Sequence, residues 1–196
     1  MRKKNLILFL AIITSCSHYT SNSLGYTRPP KNYKFGYKNK TTKLTTNTII
    51  DTTAIYYLHN SNYYRNSSEY KNRDEYIRFY NGGQFKIQGT KEFPKPEDIN
   101  NIEKGIIGYY ILKGNLVKMQ IYSDINAGSD QLEYGIINAA GNLIILNENP
   151  RSDIGFDLGI GWNEKGVKRK IEKSFFNPKE YEKTKISGMT YEKPNW

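Results

Sequence analysis

The stretch Tyr76-Ile77-Arg78-Phe79-Tyr80-Asn81-Gly82-Gly83-Gln84-Phe85-Lys86-Ile87-Gln88 decides the fold class. Ile77, Phe79, Phe85 and Ile87 fall on one side of a period-two pattern, with Arg78, Lys86 and Gln88 on the other. Asn81-Gly82-Gly83 lies between the two runs, and glycine accepts the positive φ that a tight reversal demands. The stretch is a predicted β-hairpin with one apolar face.

Working outward, Ile106 to Leu112 and Leu116 to Tyr122 flank Lys113-Gly114-Asn115 as a second hairpin. Val117, Met119 and Ile121 are expected to face inward, while Lys118 and Gln120 face water. Ile106 to Leu112 is apolar on both sides, as in a strand inside a curled sheet or beneath a covering segment. Gln131 to Ile137 and Leu143 to Leu146 form a third pair around Asn138-Ala139-Ala140-Gly141-Asn142. Thr53 to Leu58 is a further β-branched and aromatic run, followed by a polar loop from Asn60 to Lys71. Pro94 to Ile102 is expected to hold a short helical turn, since Pro96, Glu97 and Asp98 are residues a helix start tolerates. Ile154 to Trp162 is glycine-spaced and reads as a loop or weak strand. Val167 to Phe175 is the predicted last main strand, ended by Asn177-Pro178 because proline cannot donate to a ladder.

Consecutive hairpins predict an all-β domain: an antiparallel up-and-down sheet of about eight strands that loses its edges by curling into a barrel. The seventeen tyrosines, with many Ile, Thr and Asn residues, favour sheet and turns in the same way. A two-sheet sandwich satisfies the alternation too. The phrases Tyr76 to Tyr80 before Asn81-Gly82-Gly83, and Gly108 to Gly114 before Asn115, resemble lipocalin-like domains of small bacterial lipoproteins. The likeness covers roughly residues 50 to 175, lacks the early Gly-x-Trp of true lipocalins, and implies a barrel without naming a ligand.

The N-terminus reads as an export signal. Arg2, Lys3 and Lys4 precede an apolar run from Leu6 to Ile13, then small polar residues up to Cys16. The run is about half the roughly 20 residues that a membrane-spanning helix needs. Ile13-Thr14-Ser15-Cys16 resembles the lipobox of bacterial lipoproteins. That resemblance implies cleavage after Ser15 and acylation of Cys16, which would anchor the chain to membrane lipid. Cys16 is the only cysteine, so no disulfide partner competes for its thiol. Ser17 fits the habit of similar proteins sent to the outer membrane, and a periplasm-facing position is expected.

The expected organisation is a signal peptide at 1–15, a polar tether at 16–47, the β domain at 48–177 and a polar tail at 178–196. The tether carries Tyr26, Tyr33, Phe35 and Tyr37, which could also dock on the domain. Without the signal the chain has 26 basic and 19 acidic residues, a net charge of +7. The lysines are spread along the chain, which reads as a solvated surface. Exported anchoring points to acidic lipid headgroups or envelope polymers as partners, with no nucleic acid.

Chemistry is sparse. His18 and His59 have no third ligand at metal spacing. Asp124, Asn126 and Asp130 mimic a calcium loop, but Ser129 stands where its glycine belongs and Gly135 where its closing glutamate belongs. No metal, cofactor or catalytic residue is therefore expected. The carboxylates of Asp74, Glu75, Glu133, Asp153 and Asp157 are scattered, and a glycoside hydrolase would need two of them about 5 to 10 Å apart. Tyr109, Tyr110, Tyr122 and Tyr134 are the candidate lining of a ligand pocket in the barrel, or else part of the core or its rim. The expected function is a tethered, non-catalytic binding or interaction module of the cell envelope. The alternatives are a carrier or sensor of a small hydrophobic or sugar-like ligand, and an envelope-polymer hydrolase.

Overall fold

A computed structural model describes residues 20–38, 49–59, 74–123, 129–146, 162–173, 178–191 and 194–196. The lipobox with Ser15 and Cys16 lies outside the described residues, as do His18, Asp124, Asn126, Asp153 and Asp157. Two short strands, β1 (Thr20–Ser21) and β2 (Thr27–Arg28), pair as a small hairpin. The main sheet consists of β3 (Ala54–Leu58), β4 (Asp74–Phe79), β5 (Gln84–Thr90), β6 (Ile106–Lys113), β7 (Leu116–Ser123), β8 (Ser129–Ile137), β9 (Leu143–Ile145) and β10 (Lys179–Lys185). Each of these strands pairs antiparallel with its neighbour in sequence, and β10 returns to pair with β3. The sheet therefore closes into an eight-stranded up-and-down barrel, not a sandwich.

The three predicted hairpins set the register. Tyr80 N–H donates to Gln84 O at 2.9 Å, and Gly83 takes φ of 78° at the β4–β5 turn. Gly114 (φ 62°) and Gly141 (φ 85°) make the other two reversals with the same left-handed backbone. Ile77 then faces Ile87, and Phe79 faces Phe85, so the apolar sides of β4 and β5 coincide. With Tyr56, Tyr110, Val117, Met119, Ile137, Leu143 and Tyr181 they fill the barrel interior. Ile50, just before β3, packs against this core.

Two segments differ from the sequence reading. Residues Glu164–Lys173 form a helix, α2, instead of the predicted strand over Val167 to Phe175. Val167 and Ile171 are one turn apart, the residues between them are good helix formers, and Asn163 accepts from Gly166 N–H at 2.9 Å as a cap. The apolar side of α2 packs on Tyr134 and Ile136 outside the barrel. The closing strand β10 lies in the stretch read as a tail, because its inward positions carry Lys179 and Tyr181 in place of an apolar series.

The outer face of the barrel is also not the solvated surface that the alternation predicts. Lys118 and Gln120 are buried, and so are Arg78 and Lys86. A helix of one turn, α1 (Pro96–Asn100), lies over β4 and β5 together with the C-terminal residues. Residues 20–38 cover β6 and β7. Phe35 and Tyr33 pack with Tyr109 and Tyr122, Tyr37 N–H donates to Gln120 Oε1 at 3.0 Å, and Arg28 donates to Gly105 O at 2.9 Å. This part of the expected tether is docked on the barrel.

Candidate functional site

Two places among the described residues are candidates for a ligand, an outer groove and one end of the barrel interior. The first is a groove of about 490 Å³ outside the barrel, between α2 and the β8–β9 hairpin, floored by Ile136, Ile144 and Ile171. Its size suits a small molecule; of its charged lining residues Lys168 bridges Glu164 at 2.7 Å one helical turn away, and Glu172 stands beside them.

The second is the barrel end reached by Leu58, Glu75 and Lys179. Inward positions change character along the strands. On β4, Phe79 and Ile77 give way to Glu75; on β10, Tyr181 gives way to Lys179; on β8, Ile137 and Gly135 give way to Glu133. Strict alternation thus delivers two carboxyls, an ammonium and a phenol into the same interior.

Tyr181 donates its hydroxyl hydrogen to Glu75 Oε1, and Lys179 Nζ lies 3.4 Å from the same oxygen. Glu75 and Lys179 keep side-chain exposures of 23% and 13%, so solvent reaches both groups. Glu133 stands opposite Met119 on the neighbouring strand and has no hydrogen-bond partner among the described residues. It lies among protein atoms yet keeps partial solvent access. Burial pushes its carboxyl up to about 7; the Lys179 charge works against that rise and Glu75 adds to it. At neutral pH this carboxyl divides between an acid that donates a hydrogen bond and an anion that accepts one. A carboxyl of that kind near a partnered glutamate has the polarity of an acid–base pair, although Glu75 Oε1 is already engaged twice.

The four candidate tyrosines do not come together here. Tyr110 is in the barrel core and donates to Tyr80 O at 3.0 Å, at the end held by Ile50. Tyr109 and Tyr122 point outward beneath Phe35 and Trp196, and Tyr134 points outward beneath Val167 of α2. Tyrosine frequency drew attention to them, whereas the inward acids had a plainer signal: each lies two residues from an inward neighbour on its strand.

His59 Nδ1 sits 3.0 Å from Asp74 Oδ1, and Tyr57 donates to the other oxygen of Asp74, all on the outer rim. Adjacent acids Asp74 and Glu75 thereby serve opposite sides of the wall. Among the described residues, no three His, Cys, Asp or Glu side chains gather as metal ligands. Compared with family models, curated proteins and solved structures, the chain gives no match.

Proposed function

We propose that the protein is a lipid-anchored binding module of the cell envelope, with no chemistry of its own, held at a membrane through acylated Cys16. Support for the anchor comes from the order of basic residues, apolar run and Ile13-Thr14-Ser15-Cys16. Outer-membrane attachment facing the periplasm is part of the proposal. The observation that carries the binding reading is the polar ring of Glu75, Glu133 and Lys179 inside one end of an otherwise apolar barrel. Carboxyls are costly inside a barrel, so a core kept only for stability would favour apolar groups there.

Glu133 favours the carrier or sensor version, in which a small ligand enters the barrel, over a purely external contact surface. The test has two parts. Cells fed radiolabelled palmitate should label the parent protein and not Cys16→Ser; labelling of both, or of neither, rejects the anchor. Detergent-extracted native protein should release a bound small molecule on denaturation, seen by mass spectrometry. Turnover of an envelope glycan by the parent, abolished in Glu133→Gln, would replace the binding reading with the hydrolase.

A further inference from the structure

Because residues 20–38 are docked on the barrel, far less chain separates it from Cys16 than a tether over 16–47 implies. Residues 17–19 alone lie between Cys16 and Thr20 of β1. Four residue steps of at most about 3.6 Å reach about 14 Å, roughly half the thickness of a bilayer's hydrocarbon core. Acyl chains on Cys16 would therefore keep the β1–β2 hairpin beside the lipid headgroups. The hairpin is in turn fastened to the barrel: Arg28 donates to Gly105 O at 2.9 Å, and Asn22 Nδ2 donates to Glu103 O at 2.6 Å.

The surface placed there suits an anionic bilayer. Leu24, 48% exposed, stands on the hairpin turn, which Gly25 makes with φ of 80°. Asn22 Oδ1 fixes that turn by accepting from Leu24 N–H at 3.1 Å and Tyr26 N–H at 3.0 Å. Residues 20–38 contain Arg28, Lys31, Lys34 and Lys38 and no Asp or Glu. Arg28 has Glu103 at 4.0 Å to offset its charge. Tyr33, Phe35 and Tyr37 turn toward β6 and β7, while Lys31 and Lys34 stay exposed on the same segment.

We propose that the hairpin and the strap after it form a membrane-facing surface, with Leu24 entering the bilayer interface and Lys31 and Lys34 meeting anionic lipid headgroups. The proposal rests on the acylation of Cys16 and adds an orientation to it: the barrel lies against the lipid by its β6–β7 side, and β10 faces away. Acyl chains supply attachment in any orientation, whereas a rigid apolar tip and two lysines select one.

Acylation consumes the thiol of the only cysteine, so a cysteine introduced elsewhere is the one thiol a spin label meets. The full acylated chain, carrying Leu24→Cys or, on the opposite wall, Glu182→Cys, is reconstituted into vesicles of phosphatidylcholine with about one quarter phosphatidylglycerol. Collision with a water-soluble nickel chelate is expected to be at least about threefold lower for the label at 24 than for the label at 182. Adding Lys31→Glu and Lys34→Glu should remove most of that difference, as should vesicles of phosphatidylcholine alone. Equal collision at 24 and 182 in acylated protein that floats with the vesicles overturns the orientation and leaves the anchor standing. Protection at 24 that survives both lysine substitutions overturns the headgroup contact, and protection by dextran sulfate without vesicles replaces lipid with a soluble polyanion. Protein that carries no acyl group overturns both the anchor and the orientation.

Discussion

Arg78 on β4 and Lys86 on β5 stand directly opposite each other across the ladder, both buried, and both donate to backbone carbonyls of the α1 turn. Like charges in facing positions oppose pairing. They are tolerated because the last carbonyls of a helix carry partial negative charge and need donors. Arg78 reaches Ile99 O at 2.9 Å, and Lys86 reaches Asp98 O at 3.0 Å and Asn101 O at 2.7 Å. The strands thereby cap a short helix that has no basic residue in its own last turn.

Burial, with Arg78 second, pushes Lys86 down to about 7, against an ordinary value of 10.5. Between those values the unfolded chain holds the proton that the folded chain has released, so this group makes stability rise with pH through the window. Urea midpoints taken from about pH 7 to about pH 9.5 should climb less in Lys86→Met than in the parent. Equal slopes would show that Lys86 keeps its proton.

Glu133 has the opposite sign. Its folded value of about 7 lies above the ordinary 4.5, so the folded chain holds more protons between those values, and stability falls as pH rises through them. Glu133→Gln keeps the shape without the charge. It should be more stable than the parent at about pH 8, by on the order of 2 kcal/mol, and level with it near about pH 4. A variant less stable at both pH values would contradict the raised carboxyl of Glu133.

Removing Arg78 should loosen two segments at once, since its guanidinium also donates to Thr190 O. Arg78→Ala leaves buried carbonyls without donors and is expected to cost about 3 kcal/mol in chemical denaturation. Hydrogen exchange should quicken at residues 96–101 and 186–191 before it changes in β7 and β8.

Phe35 tests whether the docked part of the N-terminal region belongs to the folded unit. Its ring lies 4.9 Å from those of both Tyr33 and Tyr109, measured between centroids. Phe35→Ala should cost about 3 kcal/mol and expose residues 20–38 to proteolysis. Unchanged stability would return this region to the role of a loose spacer.

Gly108 gives the steric test. An added Cβ would lie 2.3 Å from Gln120 O and 2.6 Å from the Phe85 ring, so neither the backbone nor the core has room for it. Gly108→Ala is expected to lower stability by at least about 2 kcal/mol, read from the denaturation midpoint.

Hairpins at Gly83, Gly114 and Gly141 were legible because period-two alternation and positive-φ glycines are local signals. The helical turn at 96–100 was legible from Pro96 and its acids for the same reason. The identity of α2 depended on distinguishing the four-residue spacing of Val167 and Ile171 from alternation, in a segment with few apolar residues. Strand β10 carries lysines at inward positions, so its role depends on partners more than 100 residues away, such as Glu75. Burial of Arg78, Lys86, Lys118 and Gln120 was hidden for a related reason: alternation assigns a side of the sheet, and only tertiary contacts decide whether that side is wet. Glu133 was visible as a residue, but its burial among protein atoms is a property of the closed ring of strands.

Joining β3 to β10 also sets the order of events during synthesis. Until residues 179–185 have emerged, β3 and β9 each present an unpaired row of amide and carbonyl groups. Folding of the barrel is therefore completed late and by a contact of large sequence separation, which is slow. A nascent chain stopped short of its final twenty residues is left with two sticky strand edges, and these are where a chaperone would have to bind to keep neighbouring copies apart.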